Sequence, residues 1–199
     1  MSGSPTADAA IDGRRLRREQ GRLAVLDATI DLVLRWHLPP TAEQVAEEAG
    51  VSIASIFRYF ENLDDLRRAA ITRFIERHLH LLELPDLGEH SLQRRIASLV
   101  DGRVRFYELV EPVARIARAR FLDVPALATT LDLVRSTQSD QLAEHFATEL
   151  RCHRAPVRRE RLALVAVVTS FEAWDLLRRE GLDRDGVCRA MRTSVARLL

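Results

Sequence analysis

Along this chain apolar side chains return every three or four residues, and no stretch alternates strictly, so the pattern predicts helices throughout. Leu23, Leu26, Ile30, Val33 and Leu34 trace one stripe that ends at Trp36-His37-Leu38, before the Pro39-Pro40 stop. That stripe predicts a first helix of about twenty residues starting near Arg14. Thr41 followed by Gln44 is a capping-box start for a second helix, with Val45, Ala46 and Ala49 turned inward. Gly50 supplies the positive φ that ends it, and Ser52 caps a third helix that buries Ile56 and Phe60. Asn62 opens a fourth, with Asp64 and Asp65 at its positive end and Leu66, Ala70, Phe74 and Leu81 as its buried stripe. It runs to about Leu84-Pro85. Proline and glycine then separate helices expected at 91–109, 112–121, 125–151, 157–180 and 184–199. The expected fold class is all-α, without internal repeats.

The corner at Ala49-Gly50-Val51-Ser52 carries the most specific chemistry. A three-residue turn between two short amphipathic helices, with a small Ala46 where they cross, is the geometry that seats a helix in a DNA major groove. Burial of Ile56 and Phe60 leaves Ile53, Ala54, Ser55, Phe57 and Arg58 to face a partner. The plainer reading is a corner of a helical bundle. Near the end of the chain, Leu162 to Phe171 reads LALVAVVTSF, apolar on nearly every side, which implies burial all round. A four-helix bundle formed by the last two helices and their two-fold copies satisfies that requirement, so a homodimer is expected.

Composition narrows the picture further. The 199 residues, 47% hydrophobic, suffice for one long helical domain or two smaller ones. Residues 1–13 are poor in apolar side chains and are expected to be a disordered arm. No apolar run is long enough to span a bilayer, and the amino terminus lacks the apolar core of a secretory leader, so a cytoplasmic protein is expected. Cys152 and Cys188 make no disulfide framework. The net charge is only +1, and residues 1–82 hold 11 arginines against 12 acidic residues. The local field differs: Arg14, Arg15, Arg17, Arg18 and Arg22 stand beside Glu19 alone, a cluster suited to DNA phosphates. All 30 basic residues are arginine, which excludes P-loop, Schiff-base and SxxK lysine chemistry.

With turn, caps and the following Asn62-Leu63-Asp64-Asp65-Leu66 in view, the first 82 residues resemble the DNA-binding domain of the TetR family of transcriptional regulators. The pattern maps onto Thr41, onto Ala49 to Ser52, and onto Phe57-Arg58-Tyr59-Phe60. The resemblance implies a disordered arm at 1–13, a DNA-binding domain at 14–61, a connecting helix at 62–84 and an effector-binding and dimerisation domain at 85–199. It also implies DNA contacts from Arg14, Arg15, Arg17, Arg18, Thr41, Ser52, Ile53, Ala54, Ser55, Phe57, Arg58 and Tyr59. Phe57 stands where family members often carry tyrosine and Leu63 where they often carry lysine, both phosphate contacts. Arg58, Arg67, Arg68 and the Arg14 to Arg22 cluster are the candidate replacements, and Ile53 is suited to a thymine methyl.

The implied function is a repressor that binds a palindromic double-stranded operator as a homodimer and is released by a small-molecule effector, with no cofactor. Arg103, Phe106, Tyr107, Arg120, Glu172 and Trp174 are the candidate effector contacts. His145, Cys152 and His153 are zinc-ligand types without a recurring zinc spacing, so no metal is expected. GxSxG, HExxH, GxGxxG and CxxC are absent, so an enzyme is not expected. The competing readings are a small helical enzyme with a scattered catalytic set, and a helical adaptor that has lost DNA binding.

Overall fold

The computed structural model describes residues 7–85, 87–120 and 125–199, except the side chains of residues 7–12, 14, 119, 120, 125–128 and 130. Among the described residues every regular element is helical: α1 (Ala7–Trp36), α2 (Ala42–Ala49), α3 (Ile53–Tyr59), α4 (Leu63–His78) and a 3-10 turn (Leu79–Leu82) come first. They are followed by α5 (Leu92–Arg120), α6 (Pro125–His145), α7 (Ala147–Leu150), α8 (Ala155–Val168), α9 (Phe171–Arg179) and α10 (Arg184–Leu198). Two compact units result, one of Met1–Glu76 with Pro112–Leu127, the other of Arg77–Glu111 with Ala128–Leu199. None of the described helices is long and apolar enough to cross a membrane.

In the first unit, α1 begins at Ala7 rather than near Arg14, so residues 7–13 of the expected disordered arm are helical; residues 1–6 lie outside the described residues. The start was hidden because that stretch is short of apolar side chains, and a helix already nucleated downstream extends without them. At its far end α1 stops where proline requires. His37 takes φ 58°, the left-handed cap position that glycine normally fills, and its N–H donates to the Val33 carbonyl at 2.8 Å. Leu26, Leu32 and Val33 of α1 are buried with Val45 and Ala46 of α2, Ile56 of α3, and Leu66, Ala70 and Phe74 of α4. Paired arginine forks fasten the outside: Arg35 of α1 holds Glu48 of α2 at 2.9 and 3.2 Å, and Arg73 of α4 holds Asp27 of α1 at 2.8 and 3.1 Å. The α4 stripe stops short of Leu81, which is exposed, because the chain tightens into the 3-10 turn at Leu79 and buries Leu82 instead.

From α5 onward the chain departs more from its sequence pattern. Pro112 does not end a helix: α5 runs through it as one helix, and the boundary between the units falls at the same point, between Glu111 and Pro112. An interior proline costs about 3 kcal/mol. Burial of Val110, Val113, Ala114 and Ala117 around it offsets that cost. Expected helix 125–151 is split at Phe146, whose φ of −113° separates α6 from α7. Expected helix 157–180 is split at Thr169, with Ser170 accepting from the Ala173 N–H at 3.1 Å to start α9. Ile96, Leu99, Leu142, Phe146, Leu150, Val165 and Val195 form the core of the unit.

Two buried polar networks reinforce that core. Arg95 donates to the His145 carbonyl and to Glu149 Oε2 at 2.9 Å, while the His145 ring takes the Gly88 N–H on Nδ1 at 3.2 Å. His145 Nε2 lies 3.1 Å from the Arg95 carbonyl. Burial lowers the His145 pKa, and the Arg95 guanidinium holds Glu149 below the usual carboxylate range. The second network centres on Arg103 and is described with the candidate effector residues.

Candidate nucleic-acid interface

The corner is built by caps that the sequence names one by one. Gln44 Oε1 accepts from the Thr41 N–H at 2.8 Å, and the Thr41 hydroxyl accepts from the Gln44 N–H at 3.4 Å, closing the capping box of α2. Gly50 takes φ 65°; its N–H reaches the Glu47 carbonyl at 3.2 Å and the Val51 N–H reaches the Ala46 carbonyl at 3.0 Å. This Schellman closure turns the chain within three residues. Ser52 Oγ then accepts from the Ser55 N–H at 3.2 Å and starts α3. Asn62 Oδ1 accepts from the Asp65 N–H at 2.9 Å to start α4.

With Ile56 fully buried and Phe60 closing the end of the helix, α3 turns Ile53, Ala54, Phe57 and Arg58 to solvent, and Ser55 is half-buried. Ser52 is exposed and spends its hydroxyl on the cap; Thr41 does the same for α2. Arg58 lies along its own helix. Its guanidinium stacks over the Tyr59 ring at 5.3 Å and donates to Ser55 Oγ at 3.2 Å. Of the α1 cluster, Arg15, Arg17 and Arg18 are exposed, and the Arg14 side chain lies outside the described residues. Arg22 instead sits over the Phe60 ring at 5.3 Å.

The two arginines of α4 proposed as replacement phosphate contacts are engaged within the fold. Arg67 donates to Asp64 at 3.2 Å and to the Pro40 carbonyl at 3.3 Å, and Arg68 pairs with Asp65. Tyr59 also has a role that its place in the motif did not reveal. A Cβ on Gly21 of α1 would stand 2.5 Å from the Tyr59 hydroxyl and 3.2 Å from its Cζ. Gly21 is therefore the seat on which the end of α3 rests against α1, a residue missed in the sequence because a lone glycine inside a helical pattern carries no partner's address.

In the second unit the candidate effector residues only partly come together. Tyr107 stands edge-on to Phe171 with ring centroids 5.6 Å apart, Trp174 lies 6.1 Å away, and Phe106 is 6.0 Å from Tyr107. Arg103 is 5% exposed and has no carboxylate within ion-pair distance among the described residues. It donates to the Thr169 hydroxyl, to the Thr169 carbonyl at 3.1 Å and to the Gln138 carbonyl at 3.2 Å. Tyr107 also donates to the Thr169 carbonyl, at 2.8 Å. The cation thus sits at the negative end of α8 and satisfies its last carbonyl, which lets it stay buried although desolvation pulls its pKa down. The Trp174 indole N–H is buried without a hydrogen-bond partner among the described residues. Glu172 is on the outer side of α9, 3.6 Å from Arg135, and the Arg120 side chain lies outside the described residues. His145 belongs to the Arg95 network and Cys152 is exposed, its thiol bonded to the Glu149 carbonyl at 3.4 Å.

A short helix presented by a tight glycine turn, within an all-helical unit that continues into a second one, defines a helix-turn-helix protein. The family profile for bacterial regulatory proteins of the tetR family matches residues 40–70, the stretch from Pro40 through both caps into α4. Solved structures extend the likeness of fold to about nine tenths of the chain. A tetR-family transcriptional regulator from Streptomyces coelicolor superposes with a TM-score of 0.65 at 18% identity, covering 90% of this chain and 79% of that one. A transcriptional regulator from Rhodococcus sp. Rha1 superposes with a TM-score of 0.63 at 18% identity, covering 92% of this chain and 95% of that one. The chain therefore has the fold of TetR-family transcriptional regulators. No curated protein matches it.

Proposed function

We propose that the protein is a ligand-responsive transcriptional repressor that binds a palindromic operator as a homodimer in the cytoplasm and leaves it when a small molecule binds the second unit. The observation that carries this reading is the exposed outer face of α3, held by caps at both ends of a three-residue turn inside the matched segment. The arginines exposed on α1 supply positive charge for phosphates. Two symmetric copies would place their α3 helices in successive major grooves, about 34 Å apart.

The pairing has its own support. On α8, Leu164 and Val167 are exposed rather than buried, Val167 to 63%, and Leu176 on α9 to 59%. The expected burial on all sides of LALVAVVTSF is met within the chain only on the Val165 side, and a second copy of this surface is the occupant that completes it. For the effector, the support is a cluster of buried aromatics, Tyr107, Phe106 and Trp174, with the Trp174 indole N–H lacking a partner among the described residues and Arg103 buried as a cation nearby. Binding there acts on DNA only through different affinities for the two spacings of the reading heads, a coupling of about 1 to 3 kcal/mol.

Selection of bound fragments from a random duplex pool, followed by fluorescence anisotropy across a salt series, tests the reading. A two-fold symmetric consensus is expected, bound by two chains in light scattering, with affinity falling steeply as salt rises. Failure to enrich any fragment overturns the reading.

A further inference from the structure

We propose that α3 reads its operator chiefly through the 5-methyl groups of thymine, with Ile53, Ala54 and Phe57 as the methyl-contacting surface. The inference rests on the DNA-binding reading above and adds what kind of base contact the helix makes.

The serine hydroxyls of α3 are engaged within the helix, and Arg58 lies along it. Ser52 Oγ holds the Ser55 N–H and lies 3.0 Å from Ser55 Oγ. Ser55 in turn receives Arg58 at 3.2 Å, and the Arg58 guanidinium is laid over the Tyr59 ring. The Tyr59 hydroxyl is directed at Gly21 of α1. Three of the four exposed side chains of α3 are apolar: Ile53 is 39% exposed, Phe57 48%, and Ala54 is exposed between them. Residues 53, 54 and 57 lie on one side of a helix, one turn deep, so they form a single continuous patch.

In the major groove the base edges offer hydrogen-bonding groups and one apolar group, the thymine C5-methyl. An apolar patch gains nothing from G or C edges and leaves their acceptors and donors dehydrated without a partner. Against a thymine methyl it removes apolar surface on both sides. The same patch pressed on phosphates would be unfavourable, and Phe57, which carries no hydroxyl, cannot donate to one.

The test replaces thymine by deoxyuridine, which removes the methyl and leaves every pairing and hydrogen-bonding group in place. On fragments selected from the random pool, each contacted methyl lost is expected to weaken binding about fourfold. Single replacements at the thymines of each half-site should locate the contacted positions. Ile53→Ala and Phe57→Ala, both at exposed sites, should bind thymine-containing DNA more weakly and lose most of the difference between thymine and deoxyuridine. Equal affinity of the wild-type protein for both DNAs overturns the inference and leaves the DNA-binding reading intact. A difference that persists undiminished in both variants also overturns it, because the methyl is then acting through DNA shape. Absence of any selected fragment overturns both.

Discussion

The two units of this protein are both helical, yet they are held by different kinds of polar contact. Around the reading head the bonds that set the helix ends are local: Thr41 with Gln44, Ser52 with Ser55, Asn62 with Asp65, each three residues apart, while the longer-range forks of that unit lie toward the surface. In the second unit the buried bonds are distant: Arg95 reaches Glu149 across 54 residues, and Arg103 reaches Thr169 across 66. Local caps sit at the surface and each fixes one helix end. Distant buried networks fix how helices lie against one another, and their loss strands several groups away from water. The first unit should therefore lose stability in small, separable steps, and the second in large ones.

The largest expected effect is in the second unit. Arg103→Ala should cost about 3 to 5 kcal/mol, since it opens a cavity beside Tyr107 and removes the donor that ties Thr169 to the Gln138 carbonyl, leaving Tyr107 alone on the Thr169 carbonyl. Thr41→Ala, which removes one cap, should cost about 1 kcal/mol. Urea unfolding of the two variants checks the contrast, and equal losses would erase it.

The pH dependence sharpens the same point. His145 is held neutral chiefly by burial and secondarily by the Arg95 charge, with its hydrogen bond to the Arg95 carbonyl and the Glu149 carboxylate partly opposing, so its pKa lies below the ordinary 6.5. The unfolded chain then binds a proton that the folded chain refuses. Stability is fully present above about pH 6.5 and declines as pH falls through that value toward the lowered one. Glu149, whose pKa is also lowered, adds a further decline below its ordinary 4.5. Thermal melts from pH 7.5 to pH 4 should show both phases, and His145→Gln should remove the upper one.

In the first unit the expected effects are smaller and local. Gly21→Ala gains helix propensity, about 1 kcal/mol, but drives its methyl into Tyr59, which costs more, about 1 to 3 kcal/mol. A net loss of about 1 kcal/mol and weaker DNA binding are expected. Tyr59→Phe, which removes the atom 2.5 Å away, should recover part of it. Smallest of all, His37→Gly should stabilise by up to about 1 kcal/mol, because His37 holds a left-handed φ of 58°. A lower melting temperature for that variant would show that the His37 side chain contributes more than its strain.

The contrast also explains what could be read in advance. Thr41, Gly50, Ser52 and Asn62 declared their roles because a cap is a contact between near neighbours, and its partners are named by spacing alone. Ile56 and Phe60 were legible as buried by helical period. Gly21 and Tyr59 were not linked by any spacing. Arg67 pairs with Asp64 and Arg68 with Asp65 at a spacing of three, open to the same reading as the caps, but the reach of Arg67 to the Pro40 carbonyl 27 residues away was named by no spacing. Glu172 shared a helix with Trp174 but not a side of it: it meets Arg135 at the surface.

Thus the chain's own order of residues determined that it is all helical, where α2, α3 and α4 begin, and which segment presents a reading helix, because propensity, period and caps act within a few residues. Only the tertiary structure decided that α5 continues through Pro112, that the last long apolar stretch breaks at Thr169, and that Arg103 is a buried cation at a helix end rather than a solvent-facing one. Those outcomes depend on the free energy of burying groups brought together from distant parts of the chain, which overrides local preference by more than local preference can resist.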